Sequence, residues 1–209
     1  AQCMVKSTFN KFSKVYNRRG VTGAEAARKI LDENGLFDVR IERVSGELTD
    51  HYDPRTNVVR LSDSVYNSTS VAAVGVAAHE TGHAIQHSVG YVPIKIRNAI
   101  LPVAQIGSQA AVPLVLIGLI FSRSLGFLID VGIIVYVAVV LFQLVTLPVE
   151  FNASGRALRI LEGSYILEND ENKMAKKVLT AAAMTYVAAL FSALTTLLRL
   201  VLISNNRRR

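Results

Sequence analysis

The sequence predicts a mainly α-helical integral membrane protein, with about three transmembrane helices in this chain and a water-facing α+β part containing a small sheet. Three observations carry that expectation. The 209 residues have a mean hydropathy of +0.34, with 51% hydrophobic and 19% charged side chains, which is too apolar for a typical soluble domain and excludes disordered or fibrous chains. The charge is uneven, since residues 1–98 hold 13 of the 23 Lys and Arg and 10 of the 16 Asp and Glu. Three long stretches are nearly free of charge: Ile100 to Phe121, Leu125 to Val149 with Asp130 alone, and Val178 to Leu198. At about 1.5 Å rise per residue, each is long enough for a hydrocarbon core of roughly 30 Å.

Local signals define the remaining elements. Thr22-Gly23-Ala24-Glu25 reads as a capping box, in which hydroxyl and carboxylate satisfy orphan amides reciprocally, and Asn34-Gly35 closes the helix it opens. Arg40 to Val44 alternates charged and apolar residues, and Val58 to Leu61 follows the Asp53–Asn57 turn signal, so both read as short strands. Ser68, Thr69 or Ser70 can cap a helix through Val71–Ala78, whose small side chains imply close burial on several sides. Pro102 and Pro113 fall within the first span, where neighbouring helices can satisfy the freed carbonyls. The short Ser122-Arg123-Ser124 link makes the first two spans an antiparallel pair, and Pro148 is expected to start a new helix over residues 150–158. Asp130 lies close to one end of its span, at headgroup depth.

A net charge of +7 and a pI near 9.7 do not indicate nucleic acid, because the basic residues are scattered without an aromatic-rich stripe. Anionic lipid headgroups account for them. Cys3, the single cysteine, allows neither an internal disulfide nor a cysteine metal cluster. The chain opens Ala1-Gln2-Cys3 with no initiator Met and no signal peptide in view, which suggests processing or a fragment.

His79-Glu80-Thr81-Gly82-His83 is an HExxH motif on the helix already expected there. Residues four apart share a helical face, so both imidazoles can reach one Zn2+ ion, while Glu80, about 100° round, can take a proton from a water activated by the ion. The bland alternative is a pair of histidines hydrogen-bonded in a core. A catalytic zinc site needs a third protein ligand. His87, eight residues and about 12 Å along the helix axis from His79, is too far to complete the site and reads as a helix-end or surface histidine. The extended metzincin pattern fails at Gln86 and Val89. Glu150 stands out among the later acids, since a carboxylate following Leu147-Pro148-Val149 is costly beside lipid unless ligated or hydrogen-bonded. A solvated carboxylate past the membrane edge is the alternative. Ser154, one turn beyond, can orient a zinc histidine or bond its own helix backbone.

Asp50-His51-Tyr52-Asp53-Pro54-Arg55, Leu61-Ser62, Val71 to His87 and Leu147-Pro148-Val149-Glu150-Phe151 together resemble the YugP-like family of bacterial membrane zinc metallopeptidases. The likeness covers nearly the whole chain, and its core is similar to the gluzincin pattern of HExxH completed by a Glu on a later helix. The resemblance implies a zincin-like α+β catalytic part, with His79, His83 and Glu150 as Zn2+ ligands, Glu80 as general base, and an N-terminal anchor upstream of Ala1. Ser154 departs from the acid that the wider pattern has at that place.

The expected organisation is a catalytic portion over 1–98, a transmembrane hairpin over 99–149, a helix carrying the third ligand over 150–177, and a last transmembrane helix with a basic tail over 178–209. By parity, residues 1–98 and 148–177 share one side of the bilayer, and Arg123 and the Arg207-Arg208-Arg209 tail face the other. Counting Lys and Arg near the spans leans toward a cytoplasmic active site at a bacterial plasma membrane. The expected activity is a zinc metalloendopeptidase acting on peptides or membrane proteins near the bilayer surface, and the strand over Val58 to Leu61 offers a pairing edge to extended substrate or is an ordinary sheet member. Two alternatives remain: an inactive zincin that binds membrane partners, and a transporter subunit with structural zinc. Asp130, with only Gln105, Gln109 and Gln143 as polar company in its span and the one before it, makes transport the thinner reading. Tyr66, Tyr165, Arg156 and His51 are candidates by chemistry alone for steadying a developing oxyanion. The sequence leaves the oligomeric state open.

Overall fold

The structure, a computed structural model, describes residues 1–208, apart from the side chains of Ser122 and residues 206–208. It is mainly helical: α1 (Gln2–Phe12), α2 (Gly23–Glu33), β1 (Arg40–Val44), β2 (His51–Asp53), β3 (Val58–Ser62), α3 (Val71–Ser88), α4 (Val92–Ile120), α5 (Ser122–Leu125), α6 (Phe127–Gly163) and α7 (Asn169–Arg208). Two compact units emerge, Ala1–Tyr91 with Val149–Thr185, and Val92–Pro148 with Tyr186–Arg209.

In the first unit, α2 opens on the expected capping box: the Glu25 amide donates to Thr22 Oγ1 at 3.2 Å and the Thr22 amide donates to Glu25 Oε2 at 2.8 Å. Asn34 ends the helix, and Gly35 turns the chain with φ of +72°, where a Cβ would be strained. The sheet order is β1-β3-β2, with β1 parallel and β2 antiparallel to β3. β3 is therefore central. Both of its edges are occupied by neighbours, so it cannot offer the pairing edge to substrate, and the outer edges belong to β1 and β2.

The helix α3 starts at Ser70, whose Oγ accepts from the Ala73 amide at 3.2 Å. Thirteen of its 18 residues are buried, so it has almost no solvent face. One side packs Ala73 and Ala77 against Leu31, Val59 and Leu61, and the other packs Val74 and Ala78 against Ile30, Leu161 and Leu179. Full burial of leucines such as Leu61 and Leu161 contributes about 1.5–3 kcal/mol each.

Among the described residues, three helices are long and apolar enough to cross a membrane: Val92–Ile120, Phe127–Gly163 and Asn169–Asn205. In the second unit, a Cβ on Gly107 would stand 2.8 Å from the Val135 carbonyl, and one on Gly132 would stand 2.8 Å from that of Ala111. Glycine thus lets α4 and α6 approach backbone to backbone, as small residues do between membrane helices. The Ser122-Arg123-Ser124 link is wound into the short α5. Pro148 begins no new helix. It lies inside the continuous α6, where a proline removes a single backbone bond and the remaining ladder carries the helix on. Asp130 is exposed in the first turn of α6, where a carboxylate complements the helix dipole. Of the expected tail, Arg207 and Arg208 continue α7, and Arg209 lies outside the described residues.

Candidate metal centre

Close packing of α3 on α6 builds the site. A Cβ on Gly82, inside the HExxH motif, would stand 2.8 Å from the Ala153 carbonyl, closer than real Cβ atoms come. The bare glycine lets α6 lie against that turn of α3, with Glu150 one turn before Ala153.

His79, His83 and Glu150 consequently converge. Their side chains are 14%, 13% and 4% exposed, and Glu150 Oε2 stands 3.3 Å from His79 Nε2 and 3.5 Å from His83 Nε2. The imidazoles meet edge to face with centroids 4.8 Å apart. One nitrogen from each histidine and one Glu150 oxygen lie within 4.8 Å of one another. Ligands about 2.0–2.1 Å from a tetrahedral zinc stand about 3.3–3.4 Å apart, so the mixed nitrogen and oxygen donor set suits that ion in chemistry, and the two Glu150 separations match it in spacing. Glu80 is buried on the same turn of α3.

The other ring nitrogens are also held. Ser154 Oγ lies 3.1 Å from His79 Nδ1, so the hydroxyl addresses a histidine rather than only its own helix. Gln86 Oε1 lies 3.0 Å from His83 Nδ1, while Gln86 Nε2 donates to the Val149 carbonyl at 2.8 Å and to Asn152 Oδ1 at 3.0 Å. Arg156 Nε donates to the same Asn152 oxygen at 2.8 Å. Burial opposes charge on His83, but hydrogen bonding to Glu150 and the nearby Glu80 carboxylate outweigh it and raise its pKa. Asp50, packed near Glu80, accepts from the Ser62 amide at 2.7 Å and from Ser62 Oγ at 2.9 Å. Its burial raises its pKa against those two bonds, and the Glu80 charge pushes the same way.

Other candidates fall elsewhere. His87 packs its ring against Tyr52 at 5.5 Å and is not among the converging three. His51 is exposed with Nδ1 on the Thr49 carbonyl, Tyr165 is exposed in the turn after α6, and Tyr66 packs against the apolar core. Gln86 and Asn152 are the site residues that sequence reasoning missed. The available signal was a glutamine one turn beyond His83, on the face of α3 that a third ligand had to approach.

Two histidines of an HExxH helix that meet a carboxylate from a later helix make a possible zinc site in a chain with three membrane-length helices among its described residues. The chain belongs to the zinc metallopeptidase family whose description reads "Putative neutral zinc metallopeptidase", matched over residues 1–205. It is 52% identical over 208 residues to the "Putative membrane protease YugP" of Bacillus subtilis (strain 168), an alignment that covers 100% of this chain and 92% of that protein. No solved structure matches it.

Proposed function

We propose that this chain is a membrane-embedded zinc metalloendopeptidase that hydrolyses peptide bonds of substrates near the membrane surface. One observation carries the reading: the nitrogens of His79 and His83 and an oxygen of Glu150 lie within 4.8 Å of one another, with Glu80 buried on the same helical turn. His79 and His83 would hold the ion through ring nitrogens and Glu150 through a carboxylate oxygen. Zinc bound there supplies a Lewis acid that polarises a peptide carbonyl and makes water nucleophilic at neutral pH. Glu80 accepts the proton that the attacking water gives up and delivers it to the departing amine. Its burial removes competing solvent from that exchange. Ser154 and Gln86 orient the two imidazoles.

Structural zinc sites close with four protein ligands, whereas three side chains converge here among the described residues, which favours catalysis over a structural ion in a transporter. The lipid bilayer is one partner, because α6 carries both a membrane-length apolar stretch and Glu150. Membrane proteins, their juxtamembrane tails and unfolded segments are the substrates such a position suits. Lys95, Arg97, Arg156, Arg159, Lys173, Lys176 and Lys177, flanking the spans on the side assigned by parity, favour a cytoplasmic active site.

The test is cleavage of casein-like and membrane-derived peptides by the detergent-purified full chain, with zinc per chain measured alongside. Glu80→Gln should keep its zinc and lose roughly 100-fold or more in kcat/KM. Equal turnover by variant and wild type would reject the mechanism, and zinc-loaded wild type without turnover would favour an inactive zincin.

A further inference from the structure

The hydrogen-bond chain behind His83 has only one consistent set of donors and acceptors. The Val149 carbonyl can only accept, so the Gln86 atom 2.8 Å from it is the amide nitrogen. Gln86 Oε1 must then face His83 Nδ1 at 3.0 Å. A carbonyl oxygen accepts only, so Nδ1 carries a proton, and Nε2 is the nitrogen that faces Glu150. Asn152 is fixed by the same logic: the Arg156 guanidinium can only donate, so the atom 2.8 Å from it is Oδ1, which also receives Gln86 Nε2. Gln86 is fully buried, so water does not offer its amide an easy alternative. His79 differs, because the hydroxyl of Ser154 can donate or accept and does not by itself select a tautomer.

We infer that Gln86 is a positioning residue that holds a proton on His83 Nδ1 and ties α3 to the Val149 backbone beside Glu150, with Asn152 and Arg156 holding the amide in that sense. The inference deepens the metal-centre reading and rests on it. One side chain on α3 thereby sets the direction of one donor and the place of another.

The test labels the ring nitrogens of the four histidines with 15N in the full-length, zinc-free protein at about pH 9, above the ordinary histidine range. His83 Nδ1 should carry a proton in the wild type, with or without a second one on Nε2 toward Glu150, and should lose it in Gln86→Met, which keeps side-chain length and removes donor and acceptor. Chelator competition should show a roughly 10- to 100-fold loss of zinc affinity in the same variant. Asn152→Ala, which removes one acceptor from the amide, should shift both readouts the same way by less. A wild-type His83 with an unprotonated Nδ1 overturns the inference, as does Gln86→Met with unchanged Nδ1 protonation and zinc affinity. The wild-type spectrum needs no variant to fold. Failure of the peptidase reading shows separately, as an active Glu80→Gln or a zinc-loaded chain without turnover, and leaves the Nδ1 protonation result standing.

Discussion

Glu150 shows how one carboxylate becomes the hinge of a site. It is buried on α6 and within 3.5 Å of two imidazoles, so Glu150→Gln, which keeps shape and removes charge, should weaken zinc binding by more than roughly 100-fold. Unchanged affinity in chelator competition would strike it from the ligand set. Asp50 gives a pH signature of opposite character to an ordinary ion-paired acid. Its folded pKa lies above the unfolded value, so between the two values the native state binds more protons and stability falls as pH rises. Asp50→Asn keeps an oxygen for the Ser62 amide and should flatten that slope. Unfolding of the zinc-free protein across acidic to neutral pH checks it, and an unaltered slope would place the titration elsewhere. At this scale the sequence was legible where residue type and spacing set a meeting of side chains, as with His79 and His83, which converge on Glu150. Gln86 was not, because a glutamine at helical spacing acquires meaning only from the carbonyl and ring that it meets across the fold.

Elements obey local signals until packing outweighs them. The capping box at Thr22 was readable, and Thr22→Ala should cost about 1 kcal/mol by removing the acceptor for the Glu25 amide. Thermal unfolding checks this against an unchanged midpoint. Gly82 reverses a general rule. Replacing an exposed helical glycine with alanine usually stabilises by about 1 kcal/mol, but here the added carbon meets the Ala153 carbonyl, and such overpacking costs about 1–3 kcal/mol. Gly82→Ala should lower both the unfolding midpoint and zinc affinity, and a higher midpoint would contradict the packing argument. β1 was legible from alternation, whereas β2, three residues long, gains its identity from pairing with β3. The Pro148 signal misled because the rule that prolines break helices describes an isolated chain. The continuing bonds of a long apolar helix outweigh one missing donor.

For the whole molecule, the decisive physical fact is the division between charged and apolar sequence, and the three membrane-length helices follow from it. That much was open to inspection of hydropathy alone. Where those helices end was not, since α7 begins well before its apolar run and charged first turns do not register as part of a span. Cys3, exposed and the single cysteine, provides a topology reporter. With the active site on the cytoplasmic side, an impermeant maleimide should label Cys3 in inverted vesicles and not in intact cells. Labelling in intact cells would reverse the orientation.

Glu150 and Ser154 stand four residues apart on α6, so one stretch of helix fixes the carboxylate beside the two imidazoles and the hydroxyl that meets His79 in a single phase. Each residue added or removed between those two positions would swing one against the other by about 100° and shift it about 1.5 Å along the axis. Homologous segments grafted into this chain must therefore carry the stretch from Glu150 to Ser154 at its native length, since a single-residue slip turns one of the two side chains away from the histidines of α3.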